Sequence, residues 1–168
     1  AIGMARAYPN ALVDGFDLDE ESVREARRLI QASGVADRVQ VHLRDATDAN
    51  LAGRYDLVTA FECIHDMSDP VSALRTMGRL AGESGTVIIM DERVAEVFDP
   101  GAGDVERLMY GFSVLHCLPV GLAEQPSVGT GTVMRPDTLR GYARQAGFSD
   151  IDMLPLAHPF FRFYRLVR

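Results

Sequence analysis

Two acidic residues, Asp17 and Asp45, stand at the ends of two short apolar runs. The first run reads Ala11-Leu12-Val13-Asp14-Gly15-Phe16-Asp17 and the second Val39-Gln40-Val41-His42-Leu43-Arg44-Asp45. A helix-patterned stretch lies between them, so each run reads as a buried parallel strand carrying its carboxylate to the same edge of a sheet. Ligands of open α/β sheets bind outside the carboxyl ends of the strands, where an acid can accept the hydroxyls of a ribose. A second acid after the next strand can accept the amino group of an adenine, and the pair points to an adenosine-containing ligand. Each acid also has a plainer reading. Asp17 could be a helix N-terminal acid, although Asp19 already suits that role. Asp45 could be a loop carboxylate bonding its own backbone.

The elements that must position these residues follow from local signals. Asp19 can cap a helix with Glu20 and Glu21 in its first turn, where carboxylates meet the positive end of the dipole. Val23, Ala26 and Ile30 recur at helical spacing, Glu20 can pair with Arg24 on the exposed side, and Gly34 ends the helix. Residues 38–43, 55–61 and 86–91 read as further strands, with a polar passage at 47–54. Ser68-Asp69-Pro70 opens a helix whose Val71, Leu74 and Met77 form its apolar stripe. Strands alternating with helices imply a parallel sheet with right-handed crossovers. Residues 92–135 break this rhythm, and the spacing predicts a helix followed by a long loop, an insertion of the kind that forms lids. Pro136 opens a helix with Leu139, Tyr142, Ala143 and Ala146 on one face, ended by Gly147. Residues 150–155 and 160–167 read as an antiparallel pair at a sheet edge, bracketed by Pro155 and Pro159.

The 168 residues suit one domain, and 47% hydrophobic with 24% charged residues is ordinary for a globular protein. A net charge of −7 and a pI near 5.0 argue against a nucleic-acid footprint and against anionic membranes. No apolar run approaches the roughly 20 residues that span a bilayer. Cys63 and Cys117 lie far apart without metal-type spacing, which predicts free thiols in a cytoplasmic, reducing compartment. A metal site on His65, Asp66, His116 and Cys117 has no support in that spacing, and none is expected.

From Asp14 onward the order of these pieces resembles the class I S-adenosylmethionine-dependent methyltransferases. The matching residues are Val13-Asp14-Gly15-Phe16-Asp17 with Ala26-Arg27 behind them, then Arg44-Asp45-Ala46, Tyr55-Asp56-Leu57-Val58 and Ile64-His65-Asp66. Leu80 to Gly85 and the closing Ala146-Gly147-Phe148 complete the set. The resemblance implies a Rossmann-like, doubly wound α/β fold over 1–168, with a mostly parallel sheet, a C-terminal antiparallel hairpin and the 92–135 insertion as lid. It implies S-adenosylmethionine as cofactor, held by Asp17, Leu18, Asp45, Ala46 and Glu62, though Glu62 reads equally as a solvated loop acid. His65 falls where the methyl group should arrive. A similar His-Asp pair in plant-type small-molecule O-methyltransferases supplies a general base, since neutral imidazole takes a hydroxyl proton near pH 7. Many relatives carry a histidine there merely as a loop-to-helix residue. The stretch from Tyr110 to Thr130 looks like a bacterial subgroup with an upstream winged-helix-like domain. There Tyr110, Ser113 and His116 would meet a small-molecule substrate, beside an apolar wall of Met109, Phe112, Leu115 and Met134. His116 reads equally as a buried, hydrogen-bonded histidine.

The chain departs from that family at one place. The glycine-rich loop after the family's first strand is missing, and Gly129-Thr130-Gly131, which is not between a strand and a helix, reads as a hinge or turn. Ala1–Tyr8 reads as the last turns of a helix stopped by Pro9-Asn10, which predicts sequence upstream of Ala1. Without the family's central strand, sheet edges would be left open, and a second copy or an upstream domain could complete them. A non-catalytic, dimerising or regulatory module is the alternative reading. A Rossmann oxidoreductase is disfavoured because pyrophosphate needs the amides of the missing loop.

Overall fold

The computed structural model describes residues 1–51 and 53–168. Its contacts divide the chain into two compact units, Ala1–Asp48 and Ala49–Arg168. The polar passage at 47–54 includes Ala52, which lies outside the described residues.

The first unit contains α1 (Ile2–Ala7), β1 (Val13–Asp17), α2 (Glu20–Ala32) and β2 (Val39–Leu43). β1 and β2 run parallel in register from Val13↔Val39 to Asp17↔Leu43, so both strands end at the same edge. Asp19 caps α2, its carboxylate accepting from the Ser22 amide at 2.7 Å. The helix buries Val23 and Ile30, and Ile30 joins Ala5, Val35 and Val39 in a small core. Arg27 ties the helix to β2 by donating from Nε and Nη2 to the Val41 carbonyl, at 3.0 and 2.8 Å. On the exposed side Arg24 reaches back to Glu21 rather than to Glu20. Residues three and four apart are both neighbours on a helix surface, and the i,i+3 partner prevails here. Gly34 and Gly147 end their helices with φ of +70° and +103°, a left-handed conformation that costs a Cβ-bearing residue about 1 kcal/mol.

The second unit contains β3 (Leu57–Phe61), a 3₁₀ turn at Ile64–Asp66, α3 (Pro70–Ala81), β4 (Thr86–Glu92), α4 (Asp104–Phe112), α5 (Leu118–Leu122), α6 (Pro136–Ala146), β5 (Asp150–Met153) and β6 (Phe161–Val167). Its sheet has the order β3-β4-β6-β5. β3 and β4 are parallel, while β6 runs antiparallel to both β4 and β5. The expected C-terminal pair is therefore present, with β5 at the sheet edge. Leu74 of α3, Ile89 of β4, and Leu139 and Ala143 of α6 are fully buried in one core with Ile64 and Tyr164. Tyr142 and Ala146 pack against its rim, so the predicted face of α6 is the one used. The strands form two sheets rather than one: among the described residues β1 pairs only with β2, and β3 only with β4.

The insertion is more helical than its sequence suggests. α4 runs on through a π-helical turn at Ser113–Cys117 into α5, where a long loop was expected. The Leu118 amide bonds to the Ser113 carbonyl, an i→i−5 step. That widened turn falls one residue before Pro119, which has no amide to give, so the proline interrupts no regular ladder.

Arg135, just before α6, anchors the insertion. Its guanidinium pairs with buried Glu106 of α4 at 2.7 Å, donates to the Tyr110 hydroxyl at 2.9 Å and reaches the carbonyls of Ala95 and Val97. The other Glu106 oxygen accepts from the Ala95 amide at 2.7 Å. Removing one member of a buried pair strands the other charge. Arg135→Ala is therefore expected to cost about 3 kcal/mol in chemical denaturation, and Arg135→Ala/Glu106→Gln less than the sum of the two single changes.

Candidate active site

The edge where β1 and β2 end carries both acids singled out by the sequence. The Arg44 amide donates to the Asp17 carbonyl at 2.8 Å, which prolongs the strand pairing by one step. Asp17 Oδ1 accepts from the Asp19 amide at 2.9 Å and Asp45 Oδ1 from the Thr47 amide at 2.7 Å. Each carboxylate is exposed and held by its own loop. Its Oδ2 has no protein partner among the described residues. The loop-carboxylate reading of Asp45 is thus present in the structure, and it leaves an acceptor over for a ligand. Leu18, beside Asp17, is 60% exposed, and Ala46 is half-buried next to Asp45.

In the second unit, β3 and β4 end side by side, with Phe61 opposite Met90. Glu62 follows β3 with φ of +53°, the left-handed region, and its amide donates to the Met90 carbonyl at 2.9 Å. Its side chain is exposed. Strain of this kind costs about 1–2 kcal/mol and gathers at functional sites. Glu62→Gly is expected to raise stability by about 1 kcal/mol, measured by thermal unfolding.

His65 comes next, in the 3₁₀ turn, and is only 2% exposed. Its Nδ1 lies 2.7 Å from Asp91 Oδ1 and 3.2 Å from Glu92 Oε2, both at the end of β4. Its Nε2 lies 3.2 Å from Asp66 Oδ1. Burial works to lower the histidine pKa, but the hydrogen bonds to Asp66 and Asp91 and the charges of Asp91 and Glu92 overcome it and push it up to about 12. Burial, reinforced by Asp91, raises Glu92 to about 8. Burial likewise raises the Cys63 thiol to about 11, with Asp91 adding to it. A thiol so held is protonated and a poor nucleophile at neutral pH. Burial works to raise the Asp66 carboxyl, and the pairing with His65 outweighs it and brings it below the usual range. A neutral imidazole ready to take a hydroxyl proton does not describe this arrangement. The ring lies between carboxylates that favour its protonated form, and its contact with Asp91 ties the turn to the strand.

A family model described as a methyltransferase domain matches residues 1–120. The chain belongs to the methyltransferase domain family. It is 29% identical over 156 residues to a ubiquinone biosynthesis O-methyltransferase of Ralstonia nicotianae, covering 92% of this chain and 60% of that protein. The corresponding enzyme of Bordetella bronchiseptica is 30% identical over 152 residues, covering 88% and 57%. The chain thus spans about three fifths of the length of these relatives. Among solved structures, an O-methyltransferase family protein from Burkholderia thailandensis matches with a TM-score of 0.75 at 18% identity, over 99% of this chain and 46% of that one. An O-methyltransferase from neocarzinostatin biosynthesis, solved with S-adenosyl-L-homocysteine and 1,4-dihydroxy-2-naphthoic acid, matches with a TM-score of 0.71 at 21% identity, over 98% and 44%. These structural likenesses establish the fold.

The methyltransferase domain does not gather its expected substrate residues into one pocket. Tyr110 spends its hydroxyl on Arg135, Ser113 is buried, and His116 is exposed, not buried. Of the apolar wall, Met109 and Met134 belong to the interior, whereas Phe112 and Leu115 are 51% and 84% exposed. The helix continuing through the π turn sends these side chains to different sides, which a loop reading could not foresee. Gly129 and Gly131 form a turn with φ of +60° and +72°, and the Gly131 amide bonds the His65 carbonyl at 3.1 Å. A cavity of about 270 Å³ lies elsewhere, between Arg93, Met153, Leu154, Phe161 and Arg162. Sequence reasoning passed over Asp91 and Glu92 as site residues; two acids closing an apolar strand were the available signal, but only the strand register sets them against His65.

Proposed function

We propose that this methyltransferase domain transfers the methyl group of S-adenosylmethionine to an oxygen of a small-molecule acceptor. The observation that carries the reading is the pair of strand-end acids, Asp17 and Asp45, each with an oxygen to spare at the carboxyl edge of β1 and β2. Asp17 would accept the ribose hydroxyls, Leu18 would lie against the adenine, and Asp45 with the Ala46 amide would read its amino edge. When bound, S-adenosylmethionine would supply an electrophilic methyl; the acceptor hydroxyl would take it and release its proton to water, and the C–S electron pair would stay on sulfur in S-adenosylhomocysteine. The chain's part is alignment and exclusion of water. Oxygen is favoured as acceptor because the relatives at 29–30% identity are named O-methyltransferases. The neocarzinostatin enzyme, solved with a dihydroxynaphthoic acid, supports a phenolic one. Glu62, with its strained backbone, and the 92–135 insertion belong to the second unit, where His65 would serve as a positioning residue. The free thiols Cys63 and Cys117 support a reducing, cytoplasmic setting. No helix among the described residues is long and apolar enough to cross a membrane.

Calorimetric titration with S-adenosylhomocysteine, followed by transfer of labelled methyl from S-adenosylmethionine to a panel of catechols and naphthols, tests the reading. Saturable binding with label recovered as aryl methyl ether supports it. A folded chain that does neither overturns it and leaves the non-catalytic module.

A further inference from the structure

Three carboxylates converge on one buried imidazole, and the proposed methyl transfer does not use them. Asp91 and Glu92 approach Nδ1 of His65 at 2.7 and 3.2 Å, while Asp66 stands 3.2 Å behind Nε2. Asp91 is 1% and Glu92 8% exposed. Buried oxygens without a hydrogen-bond partner collect here: Asp66 Oδ1, Asp91 Oδ2 and Glu92 Oε2 are three of the five such atoms among the described residues. We propose that His65 Nδ1, Asp91 and Glu92 bind a single divalent ion of the Zn²⁺ type, with Asp66 as the carboxylate that steadies the ring from behind.

The distances suit an ion. Donor atoms bonded to zinc at about 2.0–2.2 Å in a tetrahedron lie about 3.3–3.6 Å from one another. The Glu92 separation from Nδ1 is already close to that, and the Asp91 separation needs to open by about half an ångström or more. One donor atom from each of the three residues lies within 4.8 Å of the others. The backbone supplies rigidity, since Asp91 and Glu92 are consecutive at the end of β4 and His65 follows the parallel strand β3 in the 3₁₀ turn. A histidine that ligates through one nitrogen places the other N–H on a carboxylate or carbonyl, which fixes tautomer and ring orientation. Asp66 Oδ1 is the carboxylate oxygen within reach, 3.2 Å from Nε2 and not yet hydrogen-bonded to it. One imidazole and two carboxylates suit Zn²⁺, Mn²⁺ or Fe²⁺, whereas Mg²⁺ and Ca²⁺ prefer all-oxygen shells. His65, Asp66 and Cys117 form a second candidate set on the Nε2 side. It is less favoured, because using it would take Asp66 from behind the ring and leave the unpartnered oxygens of Asp91 and Glu92 unanswered.

The site lies within the second unit and does not depend on cofactor binding or on methyl transfer. The test is to free the 168-residue chain of metal with a chelator, exchange it into chelator-free buffer and titrate it with Zn²⁺ by calorimetry. The same titration follows on Glu92→Gln, Asp91→Asn and Cys117→Ser, with Co²⁺ as a spectroscopic stand-in. One Zn²⁺ per chain is expected, with affinity at least about tenfold weaker in Glu92→Gln and Asp91→Asn and unchanged in Cys117→Ser. The Co²⁺ complex should show d–d absorption without a thiolate charge-transfer band. Glu92→Gln keeps the side-chain shape and carries the result where Asp91→Asn does not fold. The proposal is overturned when a chain shown to be folded by circular dichroism takes up no Zn²⁺. It is equally overturned when Glu92→Gln binds like the wild type, or when only Cys117→Ser loses the ion. Titration of the same sample with S-adenosylhomocysteine reads the proposed function separately.

Discussion

Thermal stability of the metal-free chain is expected to fall as pH rises from about 6 to 9, and Glu92→Gln is expected to flatten that fall and to be the more stable protein at about pH 8. The sign comes from two protons held by the folded state. His65 moves from an ordinary 6.5 up to about 12, so between those values the folded chain carries a proton that the unfolded chain has lost. Glu92 does the same between 4.5 and about 8. Wherever the folded state binds more protons, stability declines with pH, by up to about 1.4 kcal/mol per pH unit for each proton. Both groups contribute between about 6.5 and 8, where the slope should be steepest. Asp66 acts oppositely: its lowered pKa contributes stability above the ordinary 3.8 that is lost in stronger acid. The optimum therefore lies in mild acid. The groups that face His65 are Asp66 on its own turn and Asp91 and Glu92 on β4, with Cys63 one residue before the turn and Cys117 and His116 reaching Asp66 from the insertion. Glutamine mimics the protonated Glu92 at every pH, so the variant should be close to the wild type near pH 5 and progressively more stable than it as pH rises towards 8. Differential scanning calorimetry in chelator decides the matter. A wild-type profile that is flat or rises over this range removes the proton-rich cluster as a description of the ground state.

Local chemistry was legible in the sequence to the extent that its partners were close along the chain. The Asp19 cap, Pro70 and Pro136 at helix starts, and Gly34 and Gly147 at helix ends all act within one turn, and the structure uses every one of them as read; it adds Asp69 as the cap of α3. The strand ends were legible for the same reason, because an apolar run closing on an acid carries its own boundary. Contacts across the sheet were not. The imidazole of His65 finds Asp91 26 residues away. Only the register of β3 against β4 brings them together, so a histidine whose motif offered either a general base or a loop-to-helix residue is held by carboxylates that the motif does not show. The insertion escaped for another reason. Gly111, Pro119 and Gly121 weigh against helix by propensity, yet α4, the π turn and α5 run through them, which shows packing overriding propensity. The division of the strands into two sheets was foreseen only as open edges, because pairing depends on which strands meet and not on what any one of them contains.

Asp17→Asn is expected to weaken S-adenosylhomocysteine binding about 10- to 100-fold while leaving the thermal midpoint nearly unchanged. Hydrogen bonds to a charged acceptor contribute about 1.5–3 kcal/mol, which corresponds to that range of affinity. Asparagine keeps Oδ1 as an acceptor for the Asp19 amide, so the turn joining β1 to α2 survives. What it loses is the negative charge and the second acceptor oxygen, the one with no protein partner. Alanine would mix the two effects, because it also releases the Asp19 amide. The control is Asp19→Ala, which removes the helix cap and should cost about 1 kcal/mol of stability without a comparable loss of affinity. The two acids lie two residues apart and both are exposed, so general charge at this edge would move both variants alike. A loss of affinity confined to Asp17→Asn with a loss of stability confined to Asp19→Ala separates a ligand-binding carboxylate from a capping one. Equal affinity in wild type and Asp17→Asn would return Asp17 to the structural role of holding its own turn.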